Sequence, residues 1–193
     1  MLRATYDRTM GLAGHRHAMA ALAVVAFVES SVFPVPPDVL IIPMVLAARQ
    51  KAWRIAAVAT IASVLGGLAG YGIGALLFDS VARPLLDFYG YQAQFEDFQA
   101  RFQEWGAWIV AGAGLTPFPY KVITITSGVM DLDLVVFTVA SALSRGARFF
   151  LEVGLLWYFG QPIRRFIEAY LPQVTAAFFL LLLGGFLAVR YVL

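Results

Sequence analysis

The sequence predicts an all-α integral membrane protein: two re-entrant helical hairpins in inverted repeat, about three transmembrane helices and one interfacial amphipathic helix. Three observations lead there. The 193-residue chain is 61% hydrophobic and only 13% charged, where soluble domains run at roughly 45–50% apolar and about 25% charged. Two apolar segments are interrupted by prolines in one shared pattern. The connectors between apolar segments alternate between basic and acidic. Mean hydropathy is +0.77, so the charged side chains cannot solvate a globule of this size.

Composition also closes off several functions. The absence of cysteine excludes disulfide frameworks, iron–sulfur clusters and thiolate metal sites. The two histidines, His15 and His17, both lie near the N-terminus and leave no His-rich metal centre. A net charge of +2 is no nucleic-acid-binding surplus. P-loop, GxSxG and HExxH patterns are absent, and Gly70, Gly72 and Gly74 are glycine repetition inside a span rather than a nucleotide loop. The expectation is a non-enzyme without cofactor or metal.

The chain reads as one membrane domain over 1–193. Residues 1–17 carry Arg3, Arg8 and Arg16 against Asp7 and form a cytoplasmic N-terminus. A basic start followed by the 11-residue apolar run Ala18–Val28 imitates a signal peptide. Glu29 and a proline-rich stretch follow at once, with no cleavage site, so that reading is rejected. Residues 18–78 form the first repeat. Its opening carries Pro34, Pro36, Pro37 and Pro43, which break a continuous helix into two half-helices. Such backbone is tolerated at membrane depth only when it is buried in protein or lines a wet cavity. Ile55–Phe78 then runs 24 residues without a formal charge, enough to cross. Within it Ala62, Gly66, Gly70 and Gly74 make a small-residue stripe that packs a helix, inside one monomer or between two copies of a homo-oligomer.

Residues 79–104 are acidic, with interleaved aromatics, and read as an interfacial amphipathic connector. Residues 105–161 form the second repeat: a proline-broken segment around Pro117 and Pro119, then a long helix from Leu134 to Gln161. Residues 173–193 supply a last crossing. Pro34-Val-Pro36-Pro37-Asp38-Val39 lies over Pro117-Phe-Pro119-Tyr120-Lys121-Val122 without gaps, 83 residues apart. The basic N-terminus and Arg49, Lys51 and Arg54 fall on one side. The acidic 79–104 connector with Asp131 and Asp133 falls on the other, and Arg164 and Arg165 return to the basic side. That is the positive-inside pattern of a multi-pass protein. It gives the halves opposite orientations, the layout of transporters whose site lies between inverted repeats. The competing reading is a set of ordinary proline-kinked spans.

Six charged residues fall within membrane segments: Glu29, Asp38, Lys121, Arg145, Arg148 and Glu152. Each ionised group at the bilayer centre costs roughly 2.5–3.5 kcal/mol on insertion scales, so each requires a partner or a wet cavity. At helical spacing Ser141, Arg145, Arg148 and Glu152 project within about 60° of one another. Two guanidiniums on one turn suit a bidentate phosphate clamp. The alternative is a structural network in which Glu152 with Glu29 or Asp38 neutralises the arginines. Asp38 and Lys121 occupy equivalent repeat positions, which predicts an ion pair between the two tips. Glu29 and Asp38 are the candidate proton carriers, or else caps of half-helix N-termini.

From Glu29 to Asp38 (E-S-S-x-F-P-x-P-P-D) the chain resembles the bacterial DedA family, relatives of the eukaryotic SNARE-associated Golgi (VTT-domain) proteins. The likeness continues through Gly114–Lys121 (G-L-T-P-F-P-Y-K), Ser127-Gly128 and Ser144–Glu152 (S-R-G-A-R-F-F-L-E). It covers about residues 20–160 and fits the YqaA-like branch best. The resemblance implies two re-entrant hairpins and proton-driven movement of undecaprenyl phosphate across the bacterial inner membrane. It carries acidic roles onto Glu29 and Asp38 and arginine roles onto Arg145 and Arg148. The better-studied branch has an arginine before and another after its F-x-P element; here those places are Gly114 and Tyr120, with Lys121 adjacent.

The leading expectation is therefore a lipid transporter. Lys121, Arg145 and Arg148 hold a phosphate headgroup, Glu29 and Asp38 couple to protons, and Glu152, Ser141, Pro36 and Pro119 support them. Proton-coupled efflux of a small cation and a non-transporting scaffold are the alternatives.

Overall fold

The computed structural model describes residues 17–33, 35–116, 118–160 and 162. The N-terminal basic segment, Pro34, Pro117, Arg164, Arg165 and the expected crossing at 173–193 lie outside them. Among the described residues every regular element is helical.

Helix α1 (Ala18–Ser31) and helix α2 (Asp38–Ala47) are the two arms of a hairpin. At 1.5 Å per residue they span about 21 and 15 Å, too little for the roughly 30 Å hydrocarbon layer. The prolines set the break. Pro37 is the N-cap of α2, where a missing N–H costs nothing. The Pro36 carbonyl takes the Val39 N–H, opening the first turn. Arg49–Lys51 makes a single 3₁₀ turn, and helix α3 (Ala52–Leu77) follows at about 39 Å. With its flanking turns α3 belongs to one apolar helical run, Arg49–Ala82.

The connector departs from the single amphipathic helix expected at 79–104. A π turn at Phe78–Ala82 leads into helix α4 (Arg83–Tyr89), which stops at Gly90. Gly90 has φ +71°, a left-handed helix end that glycine adopts without steric penalty. Helix α5 (Gln92–Leu115) then runs straight through residue 104 and ends just before Pro117. Helix α6 (Tyr120–Val129) is as short as α2, and its N-cap is again a proline, Pro119, whose carbonyl takes the Val122 N–H. Helix α7 (Leu134–Gly160) closes the described chain and is apolar and long enough to cross a membrane, as is the α3 run. Asp133 caps it by accepting the Val135 and Val136 N–H groups at 2.9 and 2.8 Å. The second unit follows the order of the first, helix, proline break, ten-residue helix and crossing-length helix, but its first arm is longer, 24 residues in α5 against 14 in α1.

Helices α3 and α7 lie antiparallel along their lengths. Tyr71 meets Phe137 at one end, Ser63 meets Arg145 in the middle, and Trp53 meets Phe150 and Trp157 at the other end. The α1–α2 hairpin fills the Trp53 end, in a cluster of Leu22, Ile41, Val45, Ile55, Phe149 and Val153. The α5–α6 hairpin fills the other end, around Val110, Tyr120, Leu132 and Phe137. The small-residue stripe makes both fits possible. A Cβ at Gly66 would collide with the Phe27 carbonyl of α1, and one at Gly74 with the Ile125 carbonyl of α6. From the facing side, one at Gly128 would collide with the Tyr71 carbonyl of α3. The stripe is occupied within the chain.

Candidate functional site

Between the two apolar clusters lies a buried polar layer comprising Ser30, Ser63, Thr124, Ser127, Ser141, Ser144 and Arg145. The two hairpin tips meet there. Thr124 Oγ1 of α6 donates to the Ser30 carbonyl of α1 at 3.0 Å, and Lys121 Nζ donates to the Val32 carbonyl at 3.2 Å.

Arg145 is fully buried and forms the centre of the layer. Its Nη2 donates to Glu29 Oε2 at 2.7 Å and its Nε to Ser63 Oγ at 2.7 Å. Ser63 and Ser30 share a 2.7 Å hydrogen bond, and Ser30 Oγ donates to Glu29 Oε2 at 3.1 Å. Because Ser63 already accepts from arginine and Ser30 already donates to glutamate, the Ser63 hydroxyl is the donor to Ser30. The result is a closed ring drawn from α1, α3 and α7. The guanidinium carbon also sits between two rings, 4.9 Å from the Tyr120 centroid and 4.7 Å from that of Phe149. The Tyr120 hydroxyl donates to Ser141. A charge can remain in such surroundings because it is paired and hydrogen-bonded.

Arg148 lies one turn further along α7. Its Nη2 donates to Asp38 Oδ2 at 2.9 Å, with side-chain exposures of 23% and 27% against 0% and 14% for Arg145 and Glu29. Phe149 lies against both guanidiniums, at 5.9 Å from Arg148. Asp38 occupies the first turn of α2, where the helix dipole favours a carboxylate. Glu152, a turn beyond Arg148, places its carboxyl within reach of the Asp38 carboxyl. Among the described residues three buried atoms of this layer have no hydrogen-bond partner: Asp38 Oδ1, Ser127 Oγ and Arg145 Nη1.

The structure thus gathers Glu29, Asp38, Lys121, Arg145, Arg148, Glu152 and Ser141 in and around this polar layer. Pro36 and Pro119 start the short helices beside it. One expected pairing is corrected. Asp38 pairs with Arg148, not with Lys121, whose ammonium instead meets the carbonyl-rich end of α1, a position a cation favours. Sequence reasoning missed Ser63, and it marked Tyr120 only as a missing arginine. Ser63 did carry a signal, as a serine within an otherwise apolar, uncharged stretch. At Gly114, where the better-studied branch has arginine, a Cβ would collide with Ser144 Oγ, so close helix approach replaces a side chain.

A cavity of about 590 Å³ opens at the other end of α3, lined by Phe78, Arg83, Asp87, Phe95, Glu96 and Asp131. It includes none of the paired arginines and carboxylates.

Two helices are long and apolar enough to cross a membrane, and between them lies a core whose charges are paired. The VTT domain matches residues 35–158, and the chain belongs to that family, the membrane-associated DedA proteins. An uncharacterized protein of Haemophilus influenzae is 39% identical over 167 residues, covering 84% of this chain and 86% of its own length. An uncharacterized protein of Histophilus somni is 41% identical over 156 residues, covering 81% of each. No solved structure matches the chain.

Proposed function

We propose that this protein carries a phosphate-headed lipid, of the undecaprenyl phosphate kind, across the bacterial inner membrane, coupled to protons. In this reading the two hairpins are re-entrant, entering from opposite faces and meeting near the midplane, and the chain passes the membrane several times. It moves its lipid without making or breaking a covalent bond.

The observation that carries the reading is the pair of arginines on one turn of α7, each held by a carboxylate from the opposite hairpin. A carboxylate on a guanidinium occupies the place a phosphate would take, since both present oxygens to the same planar fork. Arg148 is the receiving group, because its pair is the more exposed of the two. Protonating Asp38 would release Arg148 to the headgroup, with Lys121 as the second cation near the tip. The lipid tails stay in the bilayer, so only the headgroup requires a protein-lined path. Arg145, buried and fully ringed, holds the tips together.

The same pairing argues against small-cation efflux, because Glu29 and Asp38 are already neutralised by arginine. The test is reconstitution into proteoliposomes with labelled undecaprenyl phosphate, with and without a pH gradient. Headgroup movement that rises with the gradient is expected. Movement no faster than in protein-free vesicles at every gradient would overturn the proposal.

A further inference from the structure

Glu152 stands apart in the charge pattern of the polar layer. Arg145 pairs with Glu29 and Arg148 with Asp38, one to one, while no ion pair to Glu152 occurs among the described residues. Three carboxyls therefore face two guanidiniums, and an uncompensated carboxylate at this depth is costly. Instead the Glu152 carboxyl, one helical turn beyond Arg148, lies within hydrogen-bonding reach of the Asp38 carboxyl. Asp38 Oδ1 is completely buried and receives no N–H or hydroxyl donor among the described residues. An ionised carboxylate only accepts hydrogen bonds, so two carboxyls can bond each other only when one carries a proton.

We infer that Asp38 and Glu152 hold one proton between them, on the Asp38 Oδ1 side of the pair, with Arg148 fixed on Asp38 Oδ2. The charged groups facing this pair are Arg148 and Arg145 of α7; Glu29 of α1 and Tyr120 of α6 face Arg145 in turn. Counting that single proton, the Asp38–Glu152–Arg148 group is electrically neutral. Glu29 stands apart from this pair, held by Arg145 and Ser30.

The inference deepens the transport reading, on which its last step rests. A second proton on the pair would neutralise both carboxyls and leave the Arg148 charge for one anionic headgroup. Proton and headgroup would then enter together at a ratio of one proton per negative charge, and leave together. Sharing one proton, Asp38 and Glu152 form a single site.

The test is infrared spectroscopy of the full-length protein in lipid vesicles at neutral pH, in H₂O and in D₂O. Wild type should show the carbonyl band of a protonated carboxylic acid, shifting in D₂O. Glu152→Gln and Asp38→Asn should each abolish it, because either amide donates its own N–H to the remaining carboxylate and keeps the fold. Glu29→Gln should retain it. Absence of the band in folded wild type, or its survival in both Glu152→Gln and Asp38→Asn, would overturn the inference. So would its loss in Glu29→Gln alone. The band is read without any transported lipid. A band with the expected variant pattern in a protein that moves no lipid would support the pair and count against the transport reading alone.

Discussion

Arg145 and Arg148 are three residues apart on one helix, yet their surroundings make different demands on them. Arg145 has no exposed surface and closes a ring through Glu29, Ser30 and Ser63. Breaking a buried pair by removing one partner costs about 3–5 kcal/mol. Arg145→Gln should therefore lower the thermal midpoint and the folded yield in detergent. Arg148 and Asp38 keep about a quarter of their side-chain surface. This pair is part-buried, and a glutamine amide can still donate to Asp38 Oδ2, so Arg148→Gln should cost less than Arg145→Gln and stay folded by size-exclusion chromatography. It should nonetheless lose lipid movement. A scaffold would show the opposite coupling, losing function only along with the fold. Ser63→Ala adds a milder case: it leaves Arg145 Nε without its acceptor, and a cost of about 1–3 kcal/mol is expected in the same unfolding measurement.

At the scale of elements, the crossing of α3 with α1 and α6 depends on glycine at facing positions. Gly128→Ala places a methyl group into the Tyr71 carbonyl, and Gly66→Ala does the same at Phe27. Each should reduce stability markedly. Gly72 and Gly112 face open space, where alanine should be neutral or stabilise by up to about 1 kcal/mol through helix propensity. Thermal unfolding of the four variants separates the two classes. These elements were largely legible in the sequence. Proline removes a donor wherever it stands, so the breaks before Asp38 and Tyr120 could be read directly, as could the shared face of Ser141, Arg145, Arg148 and Glu152. Two features were not. The junction at residue 104 looked like a boundary because composition changes there, but helical geometry ignores polarity, and the breaks fall at Gly90 and before Pro117. The partner of Asp38 was misassigned because linear alignment of the repeats set it opposite Lys121. In space the antiparallel α7 brings Arg148 to that tip. Ser63 and Tyr120 gained their roles only through neighbours distant in the chain.

For the whole molecule, the two hairpins reach the middle of the α3–α7 pair from opposite ends. The natural sequence has no cysteine, so any introduced thiol is the only one. Single cysteines at Gln50 and at Glu96 should react with a membrane-impermeant maleimide from opposite sides of sealed inverted and right-side-out vesicles. Labelling from the same side would contradict the inverted arrangement. The central claim, that a phosphate headgroup takes the place of a carboxylate on Arg148, is tested most directly by one comparison. Labelled undecaprenyl phosphate movement is measured in proteoliposomes of wild type and of folded Arg148→Gln under the same imposed pH gradient. The account predicts gradient-dependent movement by wild type and movement at the protein-free rate for Arg148→Gln. Equal movement by the two proteins would contradict it.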